Sequence, residues 1–464
     1  VTHYDLVVIG TGSGNTIVNH RFADWKVAFV ERGVFGGTCL NKGCIPTKMF
    51  VHTADVAATP AGSARYGVDE ELLGVRWPEV RDRIFGRIDP ISGAGSEYRH
   101  HNENVTMYEG TGRFTGVKEL AVDGNDGQTS VVTADRFVLA VGSRPIVPPV
   151  PGLEETGFHT SDTIMRLEEL PRRLAILGGG FVAAEFAHVF ASFGVEVTLI
   201  GRSERLLRQE DTDISEAYTE IARAKYDVRL NHETIRVARR PDGSILLGML
   251  CPDGSDEVIV DELLVAVGRT PNSDLLNLEA TGVEVDHEGR VVVDAYMQTG
   301  VDGIYALGDV TSPHQLKHVA NHEARVVKHN LLDPDNRIQA DHRFIPHAVF
   351  SSPQIASVGL TEKEAEDQGL DYVVSTQKYA DIAYGWAMED TTGFAKLLAD
   401  PTTGQLLGAH IMGPQAPTVI QPLIQAMAFG LSAYEMARNQ YWIHPAMPEL
   451  IENALLALPL KPQN

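Results

Sequence analysis

The chain has 464 residues, which predicts roughly three or four domains whose cores need no disulfide staples. Its 39 basic and 62 acidic residues leave a formal charge of −23, which argues against a nucleic-acid polyanion or an anionic membrane surface as the main partner. Apolar residues at 43% and charged residues at 22% are ordinary globular usage, so disorder is not the default reading, and no run reaches the roughly 18 apolar residues of a membrane span.

At the amino end, residues 4–9 are apolar and β-rich, Gly10-Thr11-Gly12-Ser13-Gly14 follows, and residues 26–31 form a second short apolar run. Strand, glycine turn, helix, strand is the predicted order, the opening of a dinucleotide-binding fold. A strand-like run this early leaves no room for a cleaved leader and predicts a cytoplasmic protein. Next comes Gly36-Gly37-Thr38-Cys39-Leu40-Asn41-Lys42-Gly43-Cys44, then Ile45-Pro46-Thr47-Lys48 and a helical pattern to about residue 58. A strand over 137–141 ends in Gly142-Ser143-Arg144-Pro145. The opening order returns with a strand at 174–177, Gly178-Gly179-Gly180, a helix to about residue 193 and a strand at 196–200. Cys251 ends an apolar run at 245–251 before a Pro252-Asp253-Gly254 turn, and reads as a core thiol. Strands at 263–267 and 303–307 stop at Gly268-Arg269-Thr270-Pro271 and Gly308-Asp309. Beyond about residue 341, strands at 394–398 and 406–412 mix with amphipathic helices, without a glycine nucleotide turn. The expected class is α/β, with two Rossmann-like domains and a C-terminal α+β domain. The boundaries are set at 1–145, 146–271, 272–341 and 342–464.

In the first unit, glycines let the backbone approach a pyrophosphate, while Glu31 stands where a carboxylate accepts hydrogen bonds from a ribose diol. Asn15 replaces the third glycine of the pattern beside Gly14, which predicts a slightly wider separation of helix and strand. The second unit keeps Gly178, Gly180 and Ala183 but has no acid at the end of its second strand. Arg202 and Arg208 follow instead, a pattern that fits a 2′-phosphate and predicts NADPH over NADH. The competing reading makes them solvated loop charges, partly offset by Glu204, Glu210 and Asp211.

Cys39 and Cys44 in one unbroken helix would lie about 7.5 Å apart along the axis and about 140° around it, outside disulfide reach. A non-helical turn at Gly43 must bring them together. Cys44 then starts a helix whose dipole, with Lys48, stabilises a thiolate suited to disulfide exchange. Zinc binding competes, but no second cysteine pair completes four ligands. His318 and His322 are either metal ligands or one helix face, with no third ligand evident. Near the end, His444-Pro445 with Glu449 offers a carboxylate-held imidazole for acid/base work on thiols; taken alone, a surface histidine is the safer reading.

Together these motifs resemble the pyridine nucleotide-disulfide oxidoreductases, the FAD enzymes that include glutathione reductase and dihydrolipoamide dehydrogenase. Further markers are Gly303-Ile304-Tyr305-Ala306-Leu307-Gly308-Asp309-Val310 and Val358-Gly359-Leu360-Thr361-Glu362. The resemblance implies FAD held by Gly10, Gly12, Gly14, Glu31, Thr38, Lys48, Gly112, Gly142, Ser161, Asp309 and Lys317. It implies NADPH held by Gly178, Gly180, Phe181, Glu185, Arg202, Arg208 and Gly268, with Phe181 as an aromatic gate. It further implies a Lys48–Glu185 ion pair beside the flavin, Cys39 as the thiol that attacks substrate, and Cys44 as the resolving thiol. His444, supported by Glu449, would come from the second subunit of a homodimer built on the C-terminal domain. Segments such as Phe85-Gly86-Arg87-Ile88-Asp89-Pro90 and Lys317-His318-Val319-Ala320-Asn321-His322-Glu323 resemble the branch that reduces mycothione, the disulfide of mycothiol. Other low-molecular-weight disulfide reductases are the alternatives, and a redox-sensing flavoprotein is the alternative of another class. The chain's last residues, Leu458 to Asn464, carry no cysteine, which disfavours a relay to C-terminal thiols.

Overall fold

A computed structural model describes residues 1–462 and so leaves Gln463 and Asn464, at the end of the cysteine-free tail, outside the described residues. The strand Thr2–Ile9 runs parallel to Val27–Glu31 on one side and Thr129–Leu139 on the other. Val105–Gly116 pairs beyond the former and Ile304–Ala306 beyond the latter, both in parallel. Such a central strand is covered on both faces, which is why Leu6, Val7 and Val8 read as a continuous apolar run and are all fully buried. Glu119–Gly124 pairs antiparallel with the outer halves of two of these strands.

The second glycine turn belongs to a four-stranded parallel sheet ordered Glu262–Val265, Arg173–Leu177, Glu196–Gly201, Asp227–Leu230. A three-stranded antiparallel sheet, Glu233–Arg239, Ile245–Cys251 and Gly254–Val260, shares its core. The two nucleotide-type units are linked by a short ladder of Ser143–Pro145 with Arg269–Pro271. A five-stranded antiparallel sheet from His347–Val349 to Phe394–Ala399 and Leu406–Met412 forms the last unit. It packs against the helices Gln421–Phe429 and Glu449–Leu456 in one core. No helix of the described residues is long and apolar enough to cross a membrane.

Two expectations are corrected. The first glycine turn is not followed by an α-helix: residues 14–22 form two short 3₁₀ turns, Gly14–Thr16 and His20–Phe22. The run Asn15-Thr16-Ile17-Val18-Asn19 is poor in helix formers, and the Asn19 side chain accepts from the Arg21 N–H, capping the second turn. Gly14 takes over the close packing expected of the third glycine, since a Cβ there would lie 2.7 Å from the Ala140 Cβ. Cys251 is half-buried at the end of its hairpin strand, opposite Gly254, and not in the core. Its strand alternates, and the last position falls beyond the buried face.

Candidate active site

The chemistry begins where the short helix Gly37–Asn41 gives way, through Lys42 and Gly43, to the helix Cys44–Ser63. That break brings the two thiols together: Cys39 and Cys44 are free and close enough to shift each other's titration. Their proximity polarises the pair. Cys44 is pulled down to about 7, first by the Cys39 S–H, and against its burial also by Lys48, its own helix start and Lys317. Cys39, as donor and partly buried, is pushed well above the ordinary thiol range. The two thiols therefore titrate as one coupled pair, with Cys44 the more readily ionised.

Lys48, one turn beyond Cys44, donates from Nζ to Glu185 Oε2 at 2.7 Å. Glu185 is 3% exposed on the helix Phe181–Ser192, and its Oε1 accepts the Phe350 N–H at 2.9 Å. The Lys48 ammonium also lies 4.5 Å from the centre of the Phe350 ring. This junction therefore joins all three units. Two turns further along, His188 Nε2 meets Asp55 Oδ1 at 2.7 Å, tying the same two helices a second time. Phe350, Asp55 and His188 carry no sequence signal for these contacts. A cleft of about 500 Å³ opens beside the thiols, lined by Cys44, Ile45, Lys48, Met49, His52 and Arg83.

The residues around the first glycine turn fit FAD. A Cβ on Gly10 would meet the Ala140 carbonyl oxygen at 2.3 Å, and one on Gly37 would meet the Gly12 Cα at 2.7 Å. Two backbones thus cross without side chains, leaving the bare amide surface a pyrophosphate needs. Glu31 accepts from the Thr11 N–H at 2.9 Å, the Thr11 hydroxyl at 2.7 Å and the Gly33 N–H at 2.9 Å. A carboxylate has about four acceptor sites, so capacity for a ribose hydroxyl remains. Ser143 Oγ donates to Asp309 Oδ2 at 2.7 Å and accepts from Arg269 Nε at 2.8 Å. Beneath Asp309, the buried Glu323 accepts the Gly308 N–H at 2.6 Å. Lys317 starts the helix Lys317–Leu332 and donates to Ser13 Oγ at 2.8 Å, while Ser13 donates to Asn321 Oδ1 at 3.1 Å. Ser13, Asn321 and Glu323 were invisible to motif spacing because their partners lie far away in the chain. Thr38 sits in the short cysteine helix, and Gly112 is packed in the sheet against Leu120 and Val30. Gly142 follows the strand that ends at Leu139, and Ser161 adjoins Asp162, which Lys42 reaches at 3.5 Å.

At the second glycine turn, a Cβ on Gly178 would meet the Ala266 carbonyl oxygen at 2.2 Å, whereas Gly180 faces open space. Phe181 stands at the helix start, 47% exposed, and Gly268 approaches Ile146. Arg202 and Arg208 are both exposed. The acids that could offset them are engaged elsewhere. Glu204 pairs with Arg205, Glu210 with His347 and Ser357, and Asp211 with the buried Lys396.

In the last unit, His444 Nδ1 meets Glu449 Oε1 at 3.1 Å, leaving Nε2 outward on a side chain 68% exposed. Among the described residues Glu449 is its one side-chain partner. Nearby Phe429, Tyr441 and Ile443 are also strongly exposed. His318 and His322 diverge: His318 meets the Pro346 carbonyl, and His322 Nε2 accepts the Asp341 N–H.

The family described as pyridine nucleotide-disulphide oxidoreductase matches residues 4–324, and its dimerisation domain matches residues 345–455. The chain is 52% identical over 464 residues to a mycothione reductase of Mycobacterium tuberculosis (strain ATCC 25618 / H37Rv), covering 98% of this chain and 99% of that protein. It is 34% identical to a dihydrolipoyl dehydrogenase of Corynebacterium glutamicum, with 97% of each covered. Among solved structures, the HOCl-induced flavoprotein disulfide reductase RclA from Escherichia coli aligns with a TM-score of 0.85 at 30% identity. That alignment covers 98% of this chain and all of that one, 100%.

Proposed function

The chain belongs to the pyridine nucleotide-disulphide oxidoreductase family, and from that premise we propose that it is a homodimeric reductase that uses NADPH to reduce mycothione to two mycothiols. FAD and a pyridine nucleotide are its cofactors. When bound, FAD supplies the carrier through which a hydride equivalent from the nicotinamide becomes an electron pair for a disulfide.

The protein's own groups do the rest. Lys48, held by Glu185 and Phe350, fixes the second nucleotide unit against the thiol helix. Arg202 and Arg208 take the 2′-phosphate, and Phe181 covers the nicotinamide pocket. The Cys39 thiol must lose its proton to attack. The His444 imidazole of a second chain, steadied by Glu449, takes that proton on Nε2. The Cys39 thiolate attacks one sulfur of the substrate disulfide, forming a mixed disulfide and releasing a thiolate, which His444 protonates. Cys44 then attacks Cys39, releasing the second mycothiol, which takes up a proton, and closing the Cys39–Cys44 disulfide. Two electrons from NADPH reopen it. Each turn thus consumes one disulfide, one NADPH and one proton, and yields two thiols.

The observation that carries this reading is the pair of free thiols at the break before the helix Cys44–Ser63, one helical turn from the Lys48–Glu185 junction. The 52% identity to a mycothione reductase supports the substrate. The test is NADPH oxidation by purified protein with mycothione, glutathione disulfide and lipoamide. Preference for mycothione is expected; turnover only with lipoamide and NADH overturns the reading.

A further inference from the structure

We propose that Arg99 anchors the cofactor: its buried guanidinium supplies, behind the first glycine turn, the positive potential that a full helix would otherwise give the FAD pyrophosphate. This rests on the flavoprotein reading above. In a dinucleotide fold the helix after the glycine turn contributes roughly half an elementary charge at its start. Here that element is one 3₁₀ turn, Gly14–Thr16, and the chain then breaks at Asn19. The dipole is lost, and the carbonyls a helix would have paired are left over.

Arg99 meets both needs. It lies near the end of the helix Trp77–His100 and is 5% exposed. Its Nε donates to Asn15 Oδ1 at 2.7 Å, and one terminal nitrogen donates to the Asn15 carbonyl at 2.7 Å and the Val18 carbonyl at 2.9 Å. Its plane lies 5.0 Å from the Phe29 ring centre. Every one of these acceptors is neutral, and among the described residues no carboxylate pairs with Arg99. Burial pulls its pKa down, yet a guanidinium keeps its proton in proteins. The surroundings are cationic as well: Lys328 is held below the ordinary lysine range by its own desolvation and then by Arg21 and Arg99. A buried cation without an acidic partner is costly, because its desolvation goes unpaid by a counter-charge. An anion resident at Gly10–Gly14, the turn that Arg99 grips through Asn15, completes the pairing. The asparagine in place of the third glycine is then the acceptor that aims the guanidinium.

The experiment is FAD binding to the stripped full-length protein, followed by flavin fluorescence at several salt concentrations, for wild type, Arg99→Gln and Arg99→Lys. We expect Arg99→Gln to weaken FAD at least about tenfold and flatten the salt dependence. Arg99→Lys should recover affinity to within about threefold and keep the salt slope. Unchanged affinity in Arg99→Gln, or a loss shared equally by the lysine variant with the wild-type slope, overturns the proposal in favour of packing alone. Should Arg99→Gln not fold, Arg99→Lys decides by itself: near-native affinity and slope support the charge, and a tenfold loss refutes it. A wild-type protein that neither carries nor takes up FAD overturns the flavoprotein reading itself.

Discussion

Replacing Arg202 and Arg208 with alanine should erase the proposed NADPH preference while sparing NADH. Both guanidiniums are exposed, and neither has an acidic partner within 4 Å among the described residues, so both are available to a dianion. The nearby acids cannot neutralise them, because Glu210 is bound to His347 at 2.8 Å and Asp211 to Lys396 at 2.9 Å. An exposed ion pair contributes up to about 1 kcal/mol, and a phosphate of nearly two charges raises this to about 1–1.5 kcal/mol per arginine. Two arginines then supply about 2–3 kcal/mol, a discrimination of roughly 30- to 160-fold, and each single variant should lose about five- to thirteenfold. The assay is kcat/KM for NADPH and NADH at saturating disulfide. Salt provides a second reading, since screening shortens from about 10 Å at 0.1 M to about 3 Å at 1 M and should shrink the wild-type preference. Equal losses for both nucleotides, or a preference that survives the double substitution, would refute the assignment.

Glu185→Gln keeps an acceptor for the Phe350 N–H but removes the charge-assisted bond from Lys48. We expect a roughly 10- to 100-fold slower reduction of bound flavin by NADPH in stopped flow, with thiol exchange of the prereduced protein unchanged. Cys39→Ala removes the donor that draws Cys44 to about 7. The thiolate titration of the reduced protein, read by ultraviolet absorbance, should move up towards the ordinary value of 9.0, leaving about 1–3% thiolate at pH 7; an unmoved midpoint contradicts the pairing. Lys396→Met strips the buried Asp211 of its ammonium and should lower unfolding free energy by about 3 kcal/mol, checked by denaturant titration, with partial recovery on adding Asp211→Asn. Burial works to raise the Asp211 pKa, but the Glu362 N–H and Lys396 hold it below the usual carboxylate range. Its contribution is present above the unfolded value near 3.9 and disappears as pH falls through the folded one.

Much of the site is legible because its chemistry is local. Gly10, Glu31, Cys39, Cys44 and Lys48 fall within one stretch, where spacing along a strand, turn or helix already dictates which atoms share a face. Residues whose role depends on distant partners left no such trace. Glu185 is 137 positions from Lys48 and reached its role only through resemblance to a family, while Phe350, which completes the junction, belongs to another unit altogether. The histidine pair at 318 and 322 shows the converse, since its spacing left a shared ligand and a plain helix face both open, and each ring meets a different backbone group.

By itself the sequence determined the two nucleotide-type units, the acidic and basic ends of their second strands, and a thiol pair at a helix start. Those features follow from periodicity, turn chemistry and the electrostatics of a few adjacent residues. Only the tertiary structure decided that the first helix collapses into 3₁₀ turns gripped by Arg99, and that Glu210 and Asp211 are withdrawn from Arg202 and Arg208. A short run with weak propensity, or an ion with several candidate partners, is settled by whichever distant group can desolvate and pair with it, and that competition is absent from local pattern.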